Sequence, residues 1–265
     1  MAIATVDDIA AALAVAQNVN FIKTLGAAKA AGAFQSGWRA AGKPGAAASP
    51  PAYTAGSGYT CDRATVGALG QANGSVQNWL ARITAAATLP GSLIIADRLW
   101  QCAGLAFGAA TYTITTPGTL PARITDSGVG CELWLENDVA AGAASGTVTA
   151  SYKDTAAATH SGVLGAVVSA PVAGQMQPVP LAAGDTGISQ LVSLTNSATW
   201  SSGTWGATIL KRYAEIPIIA PGVIGSADWA ACLRAIPADA CLMLIYQAST
   251  TTAATLVGTA SIIDK

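Results

Sequence analysis

The sequence predicts a mainly β protein, with a β-sandwich, jelly-roll-like body behind an N-terminal helical and extended region. From about residue 91 onward, apolar and polar residues alternate in short runs, and Gly, Pro, Asp and Ser turns separate these runs. Helix signals occur only before that point. Regularly spaced short strands are typical of sandwiches and jelly rolls. We therefore predict an anchoring region over residues 1–90 and a β-sandwich domain over residues 91–265.

The N-terminal region begins with a helix signal. Thr5 can cap a helix over residues 5–19, because Asp8 follows three positions later as in a capping box. Residues 42–58 are a run of Pro, Gly, Ala and Ser that cannot hold regular structure. This run predicts a linker or a loose arm.

A second helix is predicted over residues 76–87, where Trp79, Leu80 and Ile83 fall on one helical face. The remaining elements are predicted as eight strands. A Gly- and Ala-rich stretch between the first two of them suggests a hairpin. The strands cover residues 131–137, 146–154, 162–170, 175–182, 188–197, 205–213, 241–249 and 255–264.

The most unusual feature of the composition is its shortage of charge. Only 10% of the 265 residues are charged, against about 25% in ordinary soluble proteins. A compact chain of this size exposes roughly 10,000 Å², which gives about one charge per 400 Å² instead of about one per 160 Å². Such a surface tends to associate, so we expect partner subunits to cover it. The net charge of -1 excludes a strongly basic nucleic-acid surface.

Membrane insertion is not expected. Pro217 and Pro221 interrupt the most aliphatic stretch, so no run of about 20 apolar residues exists. Asp7 and Asp8 stand where a secretory signal would carry Lys or Arg. The sequence therefore predicts neither a spanning helix nor a signal peptide.

The five cysteines do not form a recognisable metal or disulfide pattern. They are widely spaced and odd in number, and they include no Cys-x-x-Cys pair or Cys/His cluster. We expect buried free thiols, no metal and no cofactor, although a disulfide between Cys232 and Cys241 stays open. The cysteines are Cys61, Cys102, Cys131, Cys232 and Cys241.

Two motifs resemble catalytic or nucleotide-binding loops but lack required parts. Gly37–Pro44 matches the start of a phosphate-binding loop, yet Pro44 stands where a Ser or Thr must bind Mg²⁺. Asp185 begins an Asp-Thr-Gly triplet like that of aspartic proteases, but the chain holds no second copy. Both motifs are interpreted as turns.

Candidate acid–base residues are equally sparse. Glu132 and Glu136 lie about 13 Å apart along a predicted strand, farther than a glycosidase pair. They are expected to face solvent, with Trp134 between them. His160, the only histidine, is expected in an exposed turn, and no Gly-x-Ser-x-Gly elbow accompanies it. We therefore predict that the protein is not an enzyme.

Residues 210–225 combine charges with a Pro-interrupted apolar run. Pro217 and Pro221 are expected to end strand pairing and leave an extended arm. The isoleucines of this arm need burial, either against a neighbouring subunit or at the open end of the sandwich; both alternatives stay open. The predicted assembly contacts are Ile216, Ile218, Ile219, Ile224, Lys211, Arg212 and Trp38.

Five segments carry a family resemblance: DRLW (97–100), ELWLE (132–136), AGQMQPVPLAAGDTGISQLVSLT (173–195), LKRYAEIPI (210–218) and DACLMLIYQASTTT (239–252). They resemble parts of accessory virion structural proteins of tailed bacteriophages. The resemblance implies a non-enzymatic decoration or cement protein on the capsid exterior, made in the host cytoplasm and bound to the major capsid protein. Combined with the shortage of charge, it leads us to expect a homotrimer.

Two other functions stay open. A tail, baseplate or head-to-tail connector component would fit the same resemblance with a lower copy number. A carbohydrate-binding β-sandwich module could use exposed tryptophans for stacking, although core or subunit contact explains tryptophans more simply. The tryptophans are Trp38, Trp79, Trp100, Trp134, Trp200, Trp205 and Trp229.

Overall fold

The computed structural model describes residues 5–47, 58–70, 77–108, 110–114, 119–143, 146–232 and 234–264. The mainly β class and the layered, jelly-roll-like body are confirmed. The described elements are α1 (Val6–Ala14), β1 (Gln17–Leu25), β2 (Phe34–Ser36), β3 (Ala41–Lys43), β4 (Gly58–Thr60), β5 (Gln77–Ala87), β6 (Gly91–Ala106), β7 (Ala110–Thr113), β8 (Cys131–Val139), β9 (Gly146–Lys153), β10 (Thr159–Val167), β11 (Gln175–Val179), β12 (Gln190–Asn196), β13 (Thr204–Ile218), β14 (Gly225–Ala227), α2 (Trp229–Cys232), β15 (Arg234–Pro237), β16 (Leu242–Ala248) and β17 (Ala254–Asp264).

The strands form three antiparallel sheets. In the first, called the terminal sheet, the strand order is β14-β5-β17-β1-β3, and β15 also pairs with β5. The second runs β13-β8-β11-β2-β16-β6 and closes through pairing of β6 with β13, so it is called the barrel; β4 adds to β6. The third, called the small sheet, has the order β10-β9-β12-β7.

The barrel lies between the other two sheets, and this explains its nearly unbroken apolar strands. In β16, Leu242, Leu244 and Tyr246 join the core shared with the terminal sheet, whereas Met243 and Ile245 belong to the core inside the barrel. A third core lies between the barrel and the small sheet. Strands covered on both faces show continuous hydrophobic runs instead of alternation.

Strand β13 closes the barrel and continues farther than predicted. A Cβ at Gly206 would lie 1.9 Å from the carbonyl oxygen of Cys102 on β6, so only glycine fits this close approach. The strand also runs through Pro217 to Ile218, and the predicted extended arm is wrong for this part. Beyond Lys211, β13 pairs with β6 alone, and proline is tolerated on such a one-sided strand.

The first predicted helix is confirmed in a shorter form. Thr5 Oγ1 accepts a hydrogen bond from the Asp8 backbone N–H at 3.2 Å, and the Thr5 N–H donates to Asp8 Oδ2 at 2.9 Å. This capping box fixes the start of α1. The helix ends at Ala14, and the chain becomes a strand at Gln17.

The second predicted helix is wrong, because residues 77–87 form β5. Ala81, Ile83, Ala85 and Ala87 are buried on one face, and β17 pairs along one edge of the strand. Tertiary pairing thus outweighs the helical preference of this Ala-rich segment.

All eight predicted strands are present, but the predicted hairpin between the first two is not. β8 belongs to the barrel and β9 to the small sheet. The described part of residues 1–90 contributes β1 to β5, which share sheets with strands after residue 90. Residues 48–57 of the predicted linker lie outside the described residues.

Among the described residues, no helix has the length and hydrophobicity needed to span a bilayer.

Candidate functional site

A set of ionic side chains fills part of the barrel interior. Arg98 is fully buried, and its Nη2 lies 2.5 Å from Glu136 Oε2. Its Nε donates to Gln101 Oε1 at 2.8 Å, and its guanidinium carbon lies 5.0 Å from the ring centroid of Trp38. Strands β6 and β8 place the charged pair, and the Trp38 ring adds a cation–π contact.

A second pair extends this set. Arg39 Nη2 lies 2.6 Å from Asp138 Oδ1, and Arg39 Nε lies 3.5 Å from Glu136 Oε1. Asp138 Oδ2 accepts from the Gly104 backbone N–H at 2.8 Å. The four side chains Arg39, Arg98, Glu136 and Asp138 therefore balance two positive against two negative charges, and they are called the barrel network.

The pKa values of the two carboxylates of the barrel network are shifted in opposite directions. Burial alone would raise the pKa of Glu136, but Arg98 and then Arg39 outweigh it and lower the pKa to about 2. For Asp138, burial outweighs the ion pair with Arg39 and raises the pKa to about 6. A buried and internally neutralised network of this kind suits structural stabilisation better than turnover of a substrate.

A third buried ion pair lies beside the network. Arg123 donates to both carboxylate oxygens of Asp97 at 2.9 Å and to the Cys61 carbonyl at 2.7 Å. Arg123 also lines an open cavity of about 470 Å³ together with Lys211 and Asp126. Lys211 Nζ is 2.6 Å from Asp126 Oδ2. The cations of this cavity are thus already paired within the chain.

A different cluster lies at one end of the small sheet. His160 Nε2 is 3.5 Å from Asp154 Oδ2, and His160 Nδ1 is 3.5 Å from Asp185 Oδ2. Tyr152 donates its hydroxyl to Asp185 Oδ2 at 2.5 Å and accepts from the Ala182 N–H at 2.6 Å. Burial, followed by the hydrogen bond to Asp185, raises the pKa of Tyr152 to about 12. Asp154, His160 and Asp185 are called the rim cluster.

Some of the predicted assembly contacts are buried in the structure and others are exposed. Ile216, Ile218 and Trp38 are buried inside this chain, and the two isoleucines belong to the core between the barrel and the terminal sheet. In contrast, Ile219 is 78% and Ile224 is 68% exposed. Only these two isoleucines of the predicted set remain available to a partner.

The two predicted basic contacts already have partners within the chain. Arg212 Nε lies 2.6 Å from Glu132 Oε1, and Lys211 pairs with Asp126. Both pairs are partly exposed, and both acidic partners belong to the same chain.

Other residues depart from their expected environments. Glu136 is buried and ion-paired instead of solvent-facing, because its side of β8 faces the barrel interior. Trp134 is buried and donates its Nε1–H to Glu132 Oε2 at 2.8 Å. His160 lies in β10, not in a turn, and is half-buried between two carboxylates. The turn interpretation holds for Asp185, which follows a turn before β12.

Cysteines and tryptophans mostly behave as core residues. Cys61, Cys102, Cys131 and Cys241 are buried free thiols, so Cys241 forms no disulfide with Cys232. Five tryptophans are buried, and buried rings offer no face to a sugar. These five are Trp38, Trp100, Trp134, Trp200 and Trp205.

Sequence reasoning missed both ionic clusters. A usable signal for the barrel network was the pair Asp97-Arg98 inside the otherwise apolar run from Leu93 to Trp100, since charges in such a run need internal partners. The rim cluster left no comparable signal, because its three residues are separated along the chain and meet only through the pairing of β9, β10 and the loop before β12.

Comparison with known proteins does not assign this chain to a family. No protein family model matches the sequence, and no curated protein matches it. The structure is weakly similar to the VP2 subviral particle protein of infectious bursal disease virus, with a TM-score of 0.25, 7% identity, and coverage of 94% of this chain and 80% of the other. The same virus's Gt strain structure gives a TM-score of 0.21, 10% identity and coverage of 94% and 80%. TM-scores of this size carry no argument about function.

Proposed function

We propose that this chain is a non-enzymatic structural component of a virus particle. Specifically, it is a decoration or cement protein that binds the major capsid protein on the capsid exterior as a homotrimer. The proposal combines the resemblance of five sequence segments to accessory virion proteins with the distribution of charge in the folded chain.

That distribution is the observation that carries the proposal. Among the described residues, eight charged side chains are at most 10% exposed, so at most 19 of the 27 in the sequence remain for an accessible surface of 10541 Å². This gives about one surface charge per 550 Å²; counting all charged residues, the chain has about one per 400 Å² and ordinary composition about one per 160 Å². The eight are Lys23, Arg39, Asp97, Arg98, Arg123, Glu136, Asp138 and Asp185.

Hydroxyl groups replace charge on the outer face of the small sheet. Thr111, Thr195 and Thr149 lie side by side across three strands, and the Oγ1 atoms of Thr111 and Thr195 are 3.0 Å apart. A second row contains Thr113 and Ser193 together with two serines of β9 and β10. These rows of short uncharged side chains cost less to desolvate than charged ones, which favours contact with another protein surface.

The segment of residues 219–229, which includes β14 of the terminal sheet, offers an apolar contact. It exposes Ile219, Val223, Ile224 and Trp229, and Asp228 is its only charged residue. Burying each large side chain would contribute about 1.5–3 kcal/mol. Many shallow contacts of this type would give slow dissociation from a capsid.

Binding to capsid shells that lack the protein tests this function. The double variant Ile219→Asp/Ile224→Asp is expected to weaken binding at least about tenfold, because charge replaces the buried apolar contact. Val66→Asp is the matched control, since Val66 is 66% exposed and lies outside the segment. Unchanged binding of the double variant would reject the proposed contact.

The copy number per particle tests the decoration role, and the oligomeric state in solution tests the homotrimer. A decoration protein should occur in hundreds of copies per particle, whereas a connector should occur in roughly 6 to 12. Sedimentation of the purified chain should give a trimer. A monomer that also ignores empty shells would overturn the proposal.

A further inference from the structure

We propose that the rim cluster, Asp154, His160 and Asp185, binds a divalent transition-metal ion such as Zn²⁺ and that this ion holds the end of the small sheet together. This inference does not depend on the proposed function. One ligand atom from each residue lies within 4.8 Å of the other two. Imidazole nitrogen combined with carboxylate oxygen is a donor set that zinc and its neighbours in the first transition series accept.

Charge is the first argument for a cation at this position. The Asp185 side chain is only 7% exposed, yet its hydrogen-bond donor is the neutral hydroxyl of Tyr152. Within the described part of the chain, no Lys or Arg forms a salt bridge with Asp154 or Asp185. A buried carboxylate normally has a cationic partner or coordinates a metal. With His160 neutral, two negative charges meet here without compensation.

The distances form the second argument. Each of the two His160–carboxylate separations is 3.5 Å, which is longer than the 2.7–2.9 Å of a charge-assisted hydrogen bond. Ligand atoms at the corners of a tetrahedron around zinc, with bonds of 2.0–2.1 Å, lie about 3.3 Å apart. Because the two separations involve different nitrogens of His160, either one alone, but not both for the same ion, is close to the spacing of neighbouring zinc ligands.

Hydrogen bonds from neighbouring groups orient the two carboxylates for metal binding. Asp154 Oδ1 accepts the backbone N–H groups of Ala156 at 2.9 Å and Ala158 at 2.8 Å, which leaves Oδ2 directed at the imidazole. Tyr152 fixes Asp185 from the buried side. The imidazole binds the ion through one nitrogen, so the farther carboxylate must close the remaining distance, by at most about 1.5 Å. The turn that carries Asp154 ends in exposed residues and provides that freedom.

Binding joins three separate parts of the chain. Asp154 follows β9, His160 lies at the start of β10, and Asp185 belongs to the loop before β12. The expected consequence is a more stable small sheet, with water in a fourth coordination position because His160 is partly exposed.

The test uses the full chain after treatment with a chelator. Titration with Zn²⁺ should show one ion per chain and raise the melting temperature by about 5–10 °C at 100 times the dissociation constant. Mg²⁺ should bind more weakly, because it prefers all-oxygen sites. His160→Gln and Asp185→Asn should each lower zinc affinity at least about tenfold. Asp7→Asn, a carboxylate variant in the exposed first turn of α1, should bind as the unaltered chain does.

Two results would overturn the proposal. The first is the absence of zinc binding by the unaltered chain. The second is equal binding by all variants, which would place the ion on other residues. Melting of each metal-free variant, followed by circular dichroism, shows whether a loss of affinity reflects a loss of folding.

Discussion

The barrel network and the rim cluster place ionic groups under opposite conditions. In the barrel network, two arginines face two carboxylates, and all four side chains are at most 10% exposed. In the rim cluster, two carboxylates share one histidine that is partly open to solvent. The first set is complete within the chain and should depend on nothing added. The second is short of positive charge and should respond to an added metal ion.

The largest expected effect comes from removing one partner of the barrel network. Glu136→Gln leaves Arg98 buried without its counter-charge, so we expect a loss of about 3–5 kcal/mol of unfolding free energy in urea titrations. Glu132→Gln is the matched control on the same strand. Its pair with Arg212 is partly exposed, so it should cost at most about 1 kcal/mol.

A double variant separates charge from packing. Arg98→Met combined with Glu136→Leu removes both charges and should recover most of the loss caused by Glu136→Gln. Equal loss in the double and single variants would mean that the shape of these side chains, and not their charge balance, holds the barrel. The contrast with the rim cluster would then lose its physical basis.

The unfolding free energy, plotted against pH, is expected to show two opposing slopes. The folded-state pKa of Glu136, about 2, is below its ordinary 4.5, so its contribution of about 3 kcal/mol is present above pH 4.5 and is lost as the pH falls towards 2. The pKa of Asp138, about 6, is above its ordinary 3.8, so its contribution is present below pH 3.8 and is lost as the pH rises through 6. Burial raises the pKa of Asp97 as well, which adds to the second slope.

Urea titrations between pH 3 and 7 measure both slopes. Stability should increase when the pH is lowered from 7 to about 4.5 and decrease below that. Asp138→Asn should reduce the slope between pH 4 and 6 and leave the decrease below pH 4.5 unchanged. An unaltered slope in this variant would contradict the assignment to Asp138.

The sequence was informative where apolar and polar residues alternate along a strand, and it was misleading at the two long strands β5 and β6. The alternating strands around Val148 and Leu194 were recognisable, because one face of the small sheet is solvated. Strand β6 was missed, since both of its faces are covered and its pattern is continuous. β5 was assigned as a helix, because an Ala-rich segment is compatible with both helical and strand periodicity. Its pairing with β17 determines that it is a strand.

The sites were less predictable than the strands. An isolated sequence shows that Arg98 and Glu136 are charged, but not that β6 and β8 meet β13 in a closed barrel and direct both side chains inward. The exposed isoleucines Ile219 and Ile224 were identified as contact candidates. Ile216 and Ile218 were grouped with them, because spacing does not reveal how far β13 continues past Lys211.

The smallest effect on unfolding free energy is expected when an exposed ion pair is removed. Arg212→Ala removes an ion pair whose two side chains are 44% and 29% exposed, so we expect at most about 1 kcal/mol in unfolding free energy, decreasing with added salt. Capsid binding should also change little, because Arg212 already has its acidic partner, Glu132, within the chain. A tenfold loss of binding without a loss of stability would instead assign Arg212 to the contact surface with Ile219 and Ile224. The scarce surface charges would then act mainly in recognition, and only the buried ones in folding.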